Sequence, residues 1–320
     1  MSHNALWTGR TDTEDGKAGY RWHQVISPLA SLSDVSTNDT VVAGYPNDLG
    51  VLANKGRVGA AGGPNALRQS MASLPWVLKG KAWDSGDTFV ANSLDETQQS
   101  FALQVTRLLK NGATVLGLGG GHDIAWASWQ GLHHARPSDR IGIINLDAHL
   151  DLRSCAEVTS SGTPFRQISE YANEKNMAFD YCCLGVSEAS NTPALFDYAM
   201  QSGTRILFDY EFCESTAIQE VLPMLEAVDS LYVTICMDAF PAASAPGVSA
   251  PAAIGVQPAA VVRFLRQLSD VVKRNGISWS LSDIAELNPG FDEDGRTARL
   301  AARLAFELTL AMQRSRVKDE

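Results

Sequence analysis

Asp147, His149 and Asp151 occupy alternate positions of the run Asp147-Ala148-His149-Leu150-Asp151. Side chains alternate along an extended chain, so if that geometry persists both carboxylates and the imidazole point to one side. Such a set makes poor core material, because unpaired buried charge is expensive, and a good cradle for a divalent cation. The ordinary alternative is a strand end at which Asp and His simply meet water. The preceding run, Ile141-Gly142-Ile143-Ile144-Asn145-Leu146, reads as a buried strand.

Three other segments carry residues of chemical interest. Gly117-Leu118-Gly119-Gly120-Gly121-His122-Asp123 follows an apolar run and opens a helix-like stretch. A G-x-G-x-x-G dinucleotide loop would need Gly where His122 stands, and no Walker-type Lys follows. The glycines instead allow a tight turn that brings His122 toward the 147–151 cluster. The run 231–238 ends in Cys236 and Asp238, which share a face, and leads into an irregular loop of small residues, 239–251, that lets backbone approach a ligand closely. Finally, Asp283 and Glu286 in Ser282-Asp283-Ile284-Ala285-Glu286-Leu287-Asn288-Pro289 end the last apolar run. A carboxylate there could hold a cationic amidine or guanidine through charge-assisted hydrogen bonds, although a helix cap or surface acid is the commoner role.

The elements that must position these residues alternate along the chain. Apolar, β-branched runs at 40–45, 87–91, 114–118, 141–146, 181–186, 205–208, 231–238 and 277–284 read as strands. Helix-like stretches start at Pro64 and span 95–110, 124–135, 193–201, 258–274 and 296–314. Strands too uniformly apolar to face water imply a mostly parallel, about eight-stranded sheet covered by helices on both faces, an α/β three-layer αβα sandwich. In such sheets ligands bind beyond the carboxyl ends of the strands, where the four segments fall. No repeat or linker divides the chain. We expect residues 1–38 to be an irregular segment packed on a single α/β domain of residues 39–320.

The 320 residues carry 26 Lys+Arg against 36 Asp+Glu, a net charge of −10, which argues against nucleic acid or an anionic membrane as partner. The N-terminus has no signal-peptide core and no run is long enough to span a bilayer. Five cysteines without a CxxC pair suit a reducing cytoplasm better than a disulfide framework.

Taken together, GGGHD (119–123), DAHLD (147–151), SSGTPF (160–165), MDAFPAASAPG (237–247) and DIAELNP (283–289) resemble the ureohydrolase superfamily of arginase and agmatinase in order and spacing. Within it the chain most closely resembles the formimidoylglutamases of histidine degradation, through Trp7-Thr8-Gly9-Arg10-Thr11-Asp12 with Glu14-Asp15-Gly16, SSGTPF, SEASNTPALF (187–196) and PAASAPGVSAPA (241–252). The resemblance implies an arginase-like fold, two Mn2+ per chain, a homo-oligomer, and hydrolysis of N-formimidoyl-L-glutamate to L-glutamate and formamide by a metal-bound hydroxide. By position, His122, Asp147 and Asp151 would hold one ion, and Asp147, His149 and Asp238 the other. Asp151 would relay a proton to the departing nitrogen, and Glu286 would anchor the cationic C–N group.

The chain departs from the family at Cys236, where an aspartate normally bridges both metals. A thiolate is a softer ligand than manganese favours, so the resemblance also admits a metal-deficient, non-catalytic homologue. A related guanidino or amidino substrate is a further alternative. Phe165 stands where arginase has a proton-shuttling His, a difference shared with formimidoylglutamases. Arg57 and Arg153 adjoin motifs and are candidates for the substrate carboxylates, with surface ion pairs as their ordinary role.

Overall fold

The structure, a computed structural model, describes residues 3–316. Its apolar runs form nine strands: β1 (Ile26–Pro28), β2 (Thr40–Tyr45), β3 (Ala82–Asp87), β4 (Thr114–Gly119), β5 (Ile141–Leu146), β6 (Asp180–Val186), β7 (Arg205–Phe208), β8 (Ser230–Cys236) and β9 (Ser278–Ala285). They join in one sheet in the order β1-β3-β2-β4-β9-β8-β5-β6-β7, and every pairing is parallel.

Helices cover both faces, as uniformly apolar strands require. Against one face pack helices Gly63–Met71, Glu214–Leu225, Pro258–Asn275 and Arg296–Arg316, around a core that includes Leu116, Val233, Trp279 and Leu304. Against the other pack helices Leu94–Lys110, Ile124–Ala135, Pro164–Glu174 and Pro193–Ser202, around Val115, Ile143, Tyr232 and Phe165. Every residue of β2, β4, β5 and β8 is buried. Each large apolar side chain so enclosed contributes about 1.5–3 kcal/mol.

Two strand assignments differ from the sequence reading. The third strand lies at Ala82–Asp87, ahead of the apolar stretch 87–91, in which Phe89 is 74% exposed. Hydrophobicity misleads here because β3 buries an acid, Asp84. Arg68 holds Asp84 through Nε and Nη2 at 2.9 and 3.0 Å and Asp87 through Nη1 at 2.6 Å, and Trp7 donates to Asp84 at 2.8 Å. The ninth strand, β1, comes from the segment expected to be irregular. It is three residues long and pairs with β3, while Trp7 and Trp22 of the same segment are buried.

The sheet order sets β4, β9, β8 and β5 side by side, although they are distant in sequence. Their carboxyl ends carry the four segments of chemical interest. The glycine run after β4 is required by close packing: a Cβ on Gly120 would lie 2.0 Å from the Asn47 carbonyl oxygen.

Candidate metal centre

β5 ends at Leu146, so the extended geometry does not continue through 147–151. The side chains converge by another route. Asp151 takes a left-handed backbone with φ 49°, a conformation that costs most side chains energy and is held only by its surroundings. Asn191 supplies that hold: its Oδ1 accepts Leu150 N–H and its Nδ2 donates to the carbonyls of Ala148 and Ser187, each at 2.9 Å. Tyr181 donates to Leu150 O at 3.0 Å. Nothing in its composition marks Asn191 as more than a polar residue of the SEASNTPALF segment; its role depends on the loop it clamps.

His122 Nδ1 lies 2.8 Å from Asp147 Oδ2 and 3.1 Å from Asp151 Oδ2. His149 Nδ1 lies 3.5 Å from Asp147 Oδ1 and 3.2 Å from Asp238 Oδ2. Asp147 thus turns one oxygen to each imidazole. Asp238 does not extend β8. The strand stops at Cys236, and Asp238 sits in the following 3-10 turn Met237–Ala239. Cys236 is buried, and its sulfur falls within ligand reach of a common point with His122 and Asp147, as Asp147, His149 and Asp238 do around another. Glu286, with φ 66°, accepts the His122 backbone N–H at 2.9 Å.

Burial works against the charge of both imidazoles. The carboxylates of Asp147 and Asp151 outweigh it at His122, and those of Asp238 and Asp147 at His149, so both pKa values stand well above the usual range. Burial also raises the acids, opposed at Asp147 by the two histidines, which hold it low. Burial and the Asp147 charge push Asp151 up to about 6 and raise Asp238. Burial and the Asp238 charge push Glu286 up to about 8. Burial and Asp147 hold the Cys236 thiol well above its ordinary value. The cluster has more carboxylate than its own cations can neutralise.

Several donor atoms also lack partners. His122 Nδ1 makes no bond of acceptable geometry despite its near carboxylates, and Asp238 Oδ1 and Glu286 Oε2 are buried without a donor. Orphaned lone pairs on two carboxylates and one imidazole suit a hard or borderline divalent cation. The residues present fit the metal pair that the resemblance implies.

A cavity of about 320 Å³ opens onto this cluster, with His122, His149, Asp151, Cys236, Asp238 and Glu286 in its lining. Lys55 and Arg153 also line it. Arg57, the other candidate for a substrate carboxylate, lines the same cavity, with its guanidinium donating to the carbonyls of Ser249 and Val248 and stacked on Phe291. Its partners there are carbonyl oxygens, in place of the ion pair that is the ordinary role of such a residue. Phe165 is fully buried, edge-on to the His122 ring and stacked on Tyr181, and it packs the imidazole from behind.

Residues 38–311 match the Arginase family. The formimidoylglutamase of Hahella chejuensis is 45% identical over 316 residues, covering 96% of this chain and 95% of the relative. That of Ralstonia nicotianae is 46% identical, covering 93% of each. Among solved structures, Trypanosoma cruzi formiminoglutamase with Mn2+ superposes with a TM-score of 0.77 at 25% identity, covering 92% of this chain and 98% of the other. Bacillus subtilis formimidoylglutamase superposes with a TM-score of 0.82 at 19% identity, covering 96% and 94%, a likeness of fold alone. With the family spanning most of its length and such relatives along nearly all of it, the chain belongs to the arginase family.

Proposed function

We propose that this protein hydrolyses N-formimidoyl-L-glutamate to L-glutamate and formamide. The observation that carries the reading is the pairing of opposite charges in one cavity: an acidic cluster with orphaned lone pairs, and Lys55, Arg57 and Arg153 in the same lining. The substrate carries both complementary charges, a cationic amidine at one end and two carboxylates at the other. Relatives at 45% and 46% identity that bear the name formimidoylglutamase support the same substrate.

His122, Asp147 and Asp151 would hold one Mn2+, and Asp147, His149 and Asp238 the other, with Asp147 shared between them. When bound, such a pair supplies Lewis acidity and lowers the pKa of water. The chain's own residues do the rest. Glu286 turns its unpartnered oxygen to the cationic nitrogen and fixes the plane of the amidine. Lys55 and Arg153 take the carboxylates and set the depth of entry. Asp151 delivers a proton to the departing nitrogen as the C–N bond breaks. Water adds to the formimidoyl carbon, formamide forms, and glutamate leaves as the free amine.

The test is glutamate release from N-formimidoyl-L-glutamate by manganese-reconstituted protein. Turnover is the expected result; none at full manganese occupancy overturns the reading. Arginine and agmatine in the same assay separate it from a guanidine hydrolase. Cys236→Asp then reads the remaining departure: a sharp rise in manganese affinity marks the thiol as a weak ligand, and no change removes Cys236 from the ligand set.

A further inference from the structure

His122 faces the carboxylates through Nδ1 and a hydroxyl through Nε2, which lies 3.0 Å from Thr234 Oγ1. A histidine that offers one nitrogen to a cation must keep its proton on the other, and the partner of that second nitrogen decides the matter. A threonine hydroxyl can donate or accept. On its own it would not fix the tautomer.

Asp283 removes that ambiguity. Thr234 and Asp283 are register partners across β8 and β9, so their side chains stand together on one face of the sheet. Asp283 is fully buried; burial raises its pKa, opposed by the hydroxyls of Ser128, Thr234 and Tyr232, which favour its charged form. Ser128 and Tyr232 both donate to Asp283 Oδ2, at 2.5 and 2.6 Å. Its Oδ1 is buried and has no donor of its own. The carboxylate lines neither the cavity nor the ligand groups, and the reaction proposed above gives it no role.

We propose that Asp283, acting through Thr234, is a positioning residue for His122. The carboxylate draws the Thr234 proton, Thr234 Oγ1 accepts from His122 Nε2–H, and the Nδ1 lone pair is left facing Asp147 and Asp151, where a divalent cation would sit. Two carboxylates from β9 and the residue just after it then hold this histidine, Glu286 at its backbone N–H and Asp283, through Thr234 of β8, at its imidazole. The inference rests on the metal-centre reading, and its test measures metal binding and not turnover.

Mn2+ affinity, read by titration against a competing chelator, is compared for the wild type, Thr234→Val, Thr234→Ser and Asp283→Asn, with metal-free melting recorded for each. The expected result is a loss of about 10–100-fold at one of two sites in Thr234→Val and in Asp283→Asn, and wild-type affinity in Thr234→Ser, which restores the hydroxyl. A folded Thr234→Val that binds both ions as tightly as the wild type overturns the proposal. Should that variant fail to fold, Asp283→Asn is read by the same criterion. A wild-type chain that binds no Mn2+ defeats the underlying metal-centre reading, a result visible before any variant is made.

Discussion

Two buried clusters of charge in this molecule are built to opposite ends. Near the β1 margin of the sheet, Arg68 closes on Asp84 with a bidentate pair and on Asp87 with a third bond, and Trp7 and the Gly86 N–H add donors to Asp84. The chain carries its own cation there. At the ends of β4, β5, β8 and β9, four carboxylates crowd two imidazoles, and donor atoms on His122, Asp238 and Glu286 are left over. The first cluster is complete without help and serves the fold. The second lacks positive charge, and a site that lacks charge is a site prepared to receive it.

The contrast can be broken first at Arg68. Arg68→Met strands Asp84 as an uncompensated buried carboxylate and should cost about 3–5 kcal/mol, read as a lower urea midpoint that manganese does not restore.

The acid-rich cluster should instead respond to pH. In metal-free protein Glu286 holds its proton up to about pH 8, far above the ordinary value of 4.5. Its contribution to stability is therefore fully present below about 4.5 and is lost as pH rises toward 8. At about 1.4 kcal/mol per unit, urea unfolding in chelator should record a fall on the order of 3 kcal/mol between pH 5 and 8. Glu286→Gln should flatten the curve.

Manganese should stabilise the second cluster alone. Ion at about 100 times its dissociation constant adds about 2.7 kcal/mol, measurable as a higher melting temperature, and an Arg68→Met background should keep that gain. Removing an acid should have the opposite sign at the two clusters. Asp238→Asn removes a buried acid that its own burial and the Asp147 charge disfavour as a carboxylate, and should raise metal-free stability while it weakens manganese binding. If Asp238→Asn destabilises the metal-free protein, the contrast between the clusters does not hold.

The second cluster was far more legible in the sequence than the first. His122, Asp147, His149, Asp151, Asp238 and Glu286 each follow an apolar run whose pattern marks a strand, and the end of a parallel strand is where function concentrates. They converge by a route that alternation along an extended chain does not describe: a left-handed Asp151 clamped by Asn191 brings the side chains together. The Arg68 cluster hides because its strand, β3, buries Asp84 within a polar stretch, and periodicity counts an aspartate as outward-facing. Asp283 hides for a related reason, since its importance depends on Thr234 across the sheet and on Ser128 from a helix. Cross-strand register cannot be read from one strand.

The sheet's two margins bear on how copies of this chain can associate. β1 has three residues and ends in Pro28, which offers no N–H, and β7 has four. Margins this short are poor templates for another chain's backbone, which guards against runaway stacking of sheets. Any symmetric assembly therefore has to be built from helix and loop surfaces, where side chains choose the partner, and the mouth of the cavity at the strand ends stays clear of strand-to-strand adhesion.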